Sequence, residues 1–95
     1  MYEKILLTDT ALQTAALFGN FDRNIAAVEK AFGVSVVNRD TEKTAGDAVV
    51  IRGEDSGAVT AAYTALDYLK SMLEMGSELS DQSVEYVISM AVSYT

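Results

Sequence analysis

Six consecutive residues between two predicted helices have the chemistry of a ligand-contacting loop: Gly19, Asn20, Phe21, Asp22, Arg23 and Asn24. A glycine lets main-chain N–H groups come close to an anion, and the N-terminus of the following helix attracts negative charge. Arg23 can meet a phosphate, and Phe21 can stack on a base if it is exposed. The segment therefore predicts a loop that contacts an anion or a polar group of a partner.

The same residues also allow a purely structural interpretation. Gly19 can end the first helix, and Asp22 can stabilise the partial positive charge at the start of the second. A buried Phe21 would be the first core residue of that second helix. The sequence does not separate the two interpretations.

The composition excludes most kinds of catalytic site. The 95 residues include no Cys and no His, so disulfides, thiolate or imidazole metal sites and Cys–His or Ser–His–Asp catalysis are ruled out. Carboxylates, Lys and Tyr remain for acid–base chemistry, and no two of them show a diagnostic spacing. We predict a chain with no catalytic residues, no metal site and no enzyme activity of its own.

Charge and hydropathy narrow the choice of partners. The chain has 7 Lys and Arg against 14 Asp and Glu, and its net charge of −7 repels phosphate backbones unless the cations gather on one face. No apolar run approaches the roughly 20 residues of a membrane span, and Ile5-Leu6-Leu7 is too short for a signal-peptide core. We predict one cytoplasmic domain over residues 1–95, with no membrane partner.

Local patterns predict the elements that position the loop. A β-prone strand over Glu3 to Leu7 precedes a helix from about Thr10 to Phe18, and Gly19 ends that helix. Four residues predict the apolar side of the first helix: Leu12, Ala15, Ala16 and Phe18. A second helix ends at Gly33. Its apolar stripe has a spacing of three or four residues: Phe21, Ile25, Val28, Ala31 and Phe32.

The second half of the chain changes to a β pattern and then returns to helices. The β-branched runs Val34 to Asn38 and Ala48 to Arg52 predict a hairpin, joined by the polar stretch Arg39 to Asp47. A long third helix runs to about Met75, and a last helix runs from Ser80 to Tyr94. The order β-α-α-β-β-α, with an additional C-terminal helix, predicts an α+β two-layer sandwich.

The loop and its place in this order resemble the K-homology (KH) core. The pattern of that family is an apolar residue, Gly, two variable residues, Gly, two more residues and an apolar residue, and Phe18 to Ile25 keep this frame. The resemblance implies a KH-like fold in which main-chain amides approach a phosphate beside a hydrophobic groove for four nucleotides. Asp22 stands at the second glycine, where it adds a carboxylate and a Cβ.

A narrower resemblance covers nearly the whole chain. Five segments are similar to the N-terminal KH-like domain of PhoH-like proteins: Leu17 to Ile25, Val28 to Lys30, Phe32 to Arg39, Val50 to Glu54 and Gly76 to Val84. In that family an Asp at the position of Asp22 is usual. The resemblance implies a cytoplasmic, phosphate-starvation-associated protein with a role in RNA metabolism. It also implies single-stranded RNA as a partner and a P-loop ATPase domain after this segment.

The ATP-binding sequence of that family is missing here. Gly53 and Gly57 are the one suggestive glycine pair, and no Gly-Lys-Ser/Thr occurs, so no Walker A loop exists. We expect a non-catalytic RNA-binding or regulatory accessory domain without a cofactor, whose partner is the cognate P-loop ATPase domain that binds ATP. The alternative is a protein–protein interaction or oligomerisation module, including a homo-oligomer, that docks through the last helix.

Two further clusters have simpler interpretations. The carboxylates of Asp40, Glu42 and Asp47 lack the alternating ligands of a calcium loop, so a solvated loop is expected. Methionines and tyrosines at helical spacing suit a partner groove but are expected to pack in the core: Met72, Met75, Met90, Tyr63, Tyr68 and Tyr86.

Overall fold

Three strands and four α-helices make up the computed structural model, which describes residues 1–40 and 47–93. The strands are β1 (Tyr2–Leu7), β2 (Ser35–Asp40) and β3 (Asp47–Gly53). The helices are α1 (Ala11–Phe18), α2 (Arg23–Phe32), α3 (Ser56–Glu74) and α4 (Asp81–Ser93), with a 3-10 turn, Asn20–Asp22, between α1 and α2. The α+β prediction is confirmed.

Strand β3 is the centre of the sheet, with β1 and β2 antiparallel on either side of it. Val49 and Ile51 of β3 are completely buried in the cluster that includes the helices. The register places Leu6 beside Val49 and Val36 beside Ile51, and both neighbours join the same cluster. Because side chains of a strand alternate between faces, this set defines the face that the helices cover.

The opposite face of the sheet is not covered by the described helices. Ile5, Val50 and Val37 lie side by side in the register across the three strands and form what we call the open-face row. Ile5 is 51% exposed and Val37 is 40% exposed, whereas Val50 is buried between them. On the same face, Arg52 Nε lies 2.7 Å from Glu3 Oε2.

Helix α3 spans the core, with Leu66 and Leu69 completely buried. It begins at a cap in which the Gly57 N–H donates to Asp55 Oδ1 at 2.9 Å. Helix α4 begins in the same way, because the Ser83 N–H donates to Ser80 Oγ at 3.1 Å. Both caps satisfy amides that have no partner within the helix.

The predicted apolar side of α1 is wrong at three of its four residues; the fourth, Phe18, is partly buried and packs against the core. Leu12 is 83% exposed and Ala15 and Ala16 are also exposed, whereas Thr14 and Leu17 are buried. The reason is a buried pair of hydroxyl groups, which the spacing of apolar residues along a helix does not reveal. Thr14 Oγ1 lies 2.6 Å from the hydroxyl of Thr8, which follows β1, and this contact orients the helix.

Thr8 also joins the end of β1 to the start of β3. Its N–H donates to the Asp47 carbonyl at 3.0 Å, and the Asp47 N–H donates to Thr8 Oγ1 at 3.0 Å. One buried hydroxyl therefore links two strands and α1.

The predicted loop from Arg39 to Asp47 is too long at both ends. Arg39 and Asp40 continue β2, and Asp47 begins β3 and is buried, so a solvated position is wrong for Asp47. Antiparallel pairing of β2 with β3 provides hydrogen-bond partners for the backbone at Arg39, Asp40 and Asp47. This pairing outweighs the low strand propensity of these residues. Glu42, the third carboxylate of that stretch, lies outside the described residues.

Replacement of Thr8 with Val should destabilise the fold. Thr8→Val keeps the shape but leaves the buried Asp47 N–H without its side-chain acceptor, so the free energy of unfolding should fall by about 1–3 kcal/mol. Chemical denaturation measures this change. Thr60→Val, at an exposed position of α3, is the matched control and should change stability by less than about 0.5 kcal/mol. Equal effects of the two substitutions would contradict the assigned role of Thr8.

Candidate functional site

The turn Gly19–Asp22 has an unusual backbone. Gly19 has φ 81° and ψ 178°, and both Phe21 (φ 54°) and Asp22 (φ 56°) lie in the left-handed region. This conformation costs a residue with a Cβ roughly 1–2 kcal/mol. Two such residues in succession concentrate strain in the segment that the sequence singles out, and strain of this kind clusters at functional loops.

Phe21 is fully exposed, so its predicted place as the first core residue of α2 is wrong. Helix α2 begins at Arg23, and its buried apolar residues are Ile25 and Val28. Ala31, also predicted for the apolar stripe, is exposed. The left-handed turn breaks the helical spacing between Phe21 and Ile25, which removes the ring from the stripe.

The turn leaves two main-chain amides available to a ligand. The Asp22 N–H donates to the Gly19 carbonyl at 3.2 Å, and the Arg23 N–H donates to the Asn20 carbonyl. The N–H groups of Asn20 and Phe21 donate to no described residue. Because both residues are exposed, these amides can meet water or an acceptor on a ligand.

Asn24 has a structural position within the loop. It is only 5% exposed, and its Nδ2 donates to the Leu17 carbonyl at 3.2 Å, which joins the start of α2 to the end of α1. A Cβ on Gly19 would lie 2.8 Å from this same Nδ2. The side chain of Asn24 therefore supports the turn from beneath and is not exposed to a ligand.

The two charged residues of the loop differ in their surroundings. Arg23 Nη2 lies 3.0 Å from Asp81 Oδ2 at the start of α4, with both side chains more than half exposed. An ion pair as exposed as this contributes less than about 1 kcal/mol, so the guanidinium can exchange Asp81 for a ligand oxygen. Asp22 is the residue before α2, but its carboxylate accepts no capping hydrogen bond from the described helix.

A groove of about 400 Å³ lies beside the turn, between α1 and the ends of β2 and β3. Phe18 and Gly19 line one side of it, and Asn38 of β2 lines the other. Asp22 and Asp47 add carboxylates, whereas no Lys or Arg of the described chain lines this groove. Its chemistry suits hydrogen-bond donors, such as the N–H groups of a base, better than phosphate oxygens.

Two of these contacts join residues that local patterns do not connect. Asp81 contacts Arg23 from α4, and Asn38 lines the groove from β2.

Within residues 1–40 and 47–93, no group of three or more acidic side chains is placed to hold a metal ion. The described helices include none that is long and apolar enough to cross a membrane.

A scan against protein-family models, a search of curated proteins and a search of solved structures each returned no match. The likeness to PhoH-like proteins therefore stays a prediction from the sequence segments that carry it.

Substitution of Gly19 with Ala should disrupt the turn. The new Cβ would meet Asn24 Nδ2 at 2.8 Å and would sit at φ 81°, so the free energy of unfolding should fall by about 1–3 kcal/mol. Denaturant unfolding is the measurement. Gly57→Ala, in the first turn of α3 where the Cβ meets nothing closer than 3.4 Å, should be neutral or stabilising by up to about 1 kcal/mol. A harmless Gly19→Ala would disprove the close approach.

Proposed function

We propose that this chain is a KH-like accessory domain that binds single-stranded RNA through the exposed residues of the loop Gly19 to Asn24 and serves a P-loop ATPase of the PhoH-like kind in the cytoplasm. The observation that carries the proposal is the fully exposed ring of Phe21, in a left-handed turn, next to two N–H groups without partners in the described chain. Catalysis belongs to the ATPase partner in this proposal.

The energetics of Phe21 favour a role in binding. A fully exposed ring adds little to the folding free energy, and its backbone conformation costs stability. Stacking of a base on an aromatic ring is worth about 1–3 kcal/mol, which is enough to offset that cost once a ligand is bound. The adjacent amides of Asn20 and Phe21 can donate to the phosphate that follows a stacked base.

The arrangement around the turn supports a KH-like fold. The elements follow the order β-α-α-β-β-α, and the turn lies between the two consecutive helices, where the KH pattern requires it. Asp22, at the position of the second glycine of that pattern, has the left-handed φ of 56° that glycine adopts most easily. The groove beside the turn extends towards β2 and β3.

The charge distribution determines the kind of RNA binding to expect. Arg23 is the only cation of the loop, and Asp22 and Asp81 lie next to it. Few phosphates can therefore be neutralised, and each contributes a slope of only about −0.7 to the dependence of log affinity on log salt for a single strand. Binding should be modest and should come mainly from stacking and base contacts.

Phe21→Gly should separate binding from folding. Glycine relieves the left-handed strain, so the free energy of unfolding should rise by up to about 1 kcal/mol, while loss of the ring should lower RNA affinity roughly tenfold or more. Fluorescence anisotropy with a labelled mixed-sequence single-stranded RNA, at low and moderate salt, measures the affinity. Binding that is absent in the wild type, or unchanged in the variant, would refute the proposal.

Arg23→Glu tests whether position or net charge controls the affinity. Lys30→Glu, an exposed charge reversal in the last turn of the same helix, gives the same net charge and serves as the matched control. We expect a larger loss of RNA affinity for Arg23→Glu in the same anisotropy titration, because Arg23 lies in the loop. Equal losses of affinity in the two variants would mean that RNA binding depends only on the overall charge of the chain.

The gene sequence downstream of the codon for Thr95 tests the ATPase part of the proposal. A Walker A sequence encoded downstream of Thr95 would support it, and a downstream coding sequence without one, or a stop codon directly after Thr95, would contradict an ATPase domain in the same chain.

A further inference from the structure

Helices α3 and α4 enclose an outward-facing groove that the RNA proposal does not use. Its lining includes methionines and tyrosines from both helices, and we name it the α3–α4 groove: Ala65, Tyr68, Met72, Met75, Tyr86 and Met90. Tyr68 is 51% exposed, Met75 is 80% exposed and Tyr86 is 64% exposed, so the expectation of core packing is wrong for these three. It is confirmed for Met72 and Tyr63, which are partly buried and pack against the core. Tyr63 lies elsewhere, with its ring 5.4 Å from Lys4 Nζ.

The α3–α4 groove is long enough for a helix. It consists of two openings of about 330 and about 470 Å³ that share Tyr68 and Val87 and so form one surface. The lining runs along α3 from Thr60 to Met75, the residue that follows the last turn of the helix, which is about 22 Å at a rise of 1.5 Å per residue. This length matches about four turns of a partner helix. Flexible methionines and amphipathic tyrosines are the side chains that adapt to such a helix.

The charge of this part of the chain determines the occupant. Residues 54–93 contain seven acidic residues and a single lysine, Lys70, whose Nζ lies 3.7 Å from Glu74 Oε1. Asp67 and Glu85 are exposed and precede the two groove tyrosines, Tyr68 and Tyr86, in the sequence. A second copy of the chain would bring like charges together, whereas a basic partner would be attracted.

We propose that the α3–α4 groove binds an amphipathic helix of a partner protein, with an apolar stripe that enters the groove and Lys or Arg residues on its flanks. Apolar residues spaced at i, i+3, i+4 and i+7 provide the stripe, and the acidic residues of α3 and α4 select the basic flanks. This surface is separate from the loop Gly19 to Asn24, so the proposal does not depend on RNA binding.

The test uses a labelled Leu–Lys amphipathic peptide of about 16 residues, long enough for the groove, and the same peptide with Glu in place of Lys. Fluorescence anisotropy with the full chain should show binding of the Lys peptide, weakened by salt, and at least roughly tenfold weaker binding of the Glu peptide. Tyr86→Ser and Met90→Gln should each lower affinity for the Lys peptide about tenfold. Leu12→Ser, at an exposed apolar position on α1, should change it less than about twofold.

Circular dichroism melting identifies any variant that fails to fold, and the other groove variant then decides the result. Equal binding of the two peptides, or equal affinity of the groove variants and Leu12→Ser, would overturn the proposal. A dimer of the chain alone that is lost in Tyr86→Ser would also overturn it in favour of self-association, as measured by analytical ultracentrifugation. Loss of RNA binding in Phe21→Gly with intact peptide binding would leave this proposal standing.

Discussion

The close approach of Asn24 to Gly19 determines how the first two helices meet. The buried Asn24 amide bonds the Leu17 carbonyl and occupies the volume that a Cβ on residue 19 would need. With that contact in place, the chain reverses between α1 and α2 within a few residues, and φ is positive at Gly19, Phe21 and Asp22. The exposure of the Phe21 ring and of two amides accompanies this packing. One polar contact in the interior thus supports a chemically distinctive surface.

Helix α4 connects the two surfaces to which we assign binding. Its first residue, Asp81, pairs with Arg23 of the loop, and residues further along it, such as Tyr86 and Met90, line the groove against α3. Val84 and Val87 of the same helix pack in the hydrophobic core. A shift of α4 caused by a partner in the groove would therefore also move the carboxylate that faces Arg23. The two surfaces share one helix although their proposed ligands differ in chemistry.

Features set by local chemistry could be predicted from the sequence. Gly33 and Gly76 end helices with φ of 66° and 87°, because glycine adopts these values without a steric penalty. Ser80 caps α4 through its own hydroxyl, and the β-branched runs form the paired strands. Propensity, capping and hydrophobic pattern agree at these positions, so a window of a few residues is enough to predict the local structure.

Features set by contacts between distant residues could not be predicted in this way. The face that α1 buries depends on the hydroxyl pair of Thr8 and Thr14, and the extension of β2 through Arg39 depends on its partner strand. The exposure of Phe21 follows from the left-handed turn, which a helical spacing rule cannot anticipate. The partner of Arg23 comes from α4, far along the chain. The chemistry of the site was visible in the sequence, but its orientation required tertiary packing.

The open-face row has a consequence for handling the protein. Ile5 and Val37 expose apolar surface on either side of the buried Val50, on the sheet face that the described helices leave uncovered. The outer strands, β1 and β2, have unpaired edges in the described fold. At neutral pH the net charge of −7 keeps molecules apart, and the charged pair of Glu3 and Arg52 lies beside the open-face row. Near the isoelectric point of about 4.3 that repulsion disappears. Acidified solutions should then favour sheet-to-sheet stacking and precipitation, so purification and storage are best kept well above that pH.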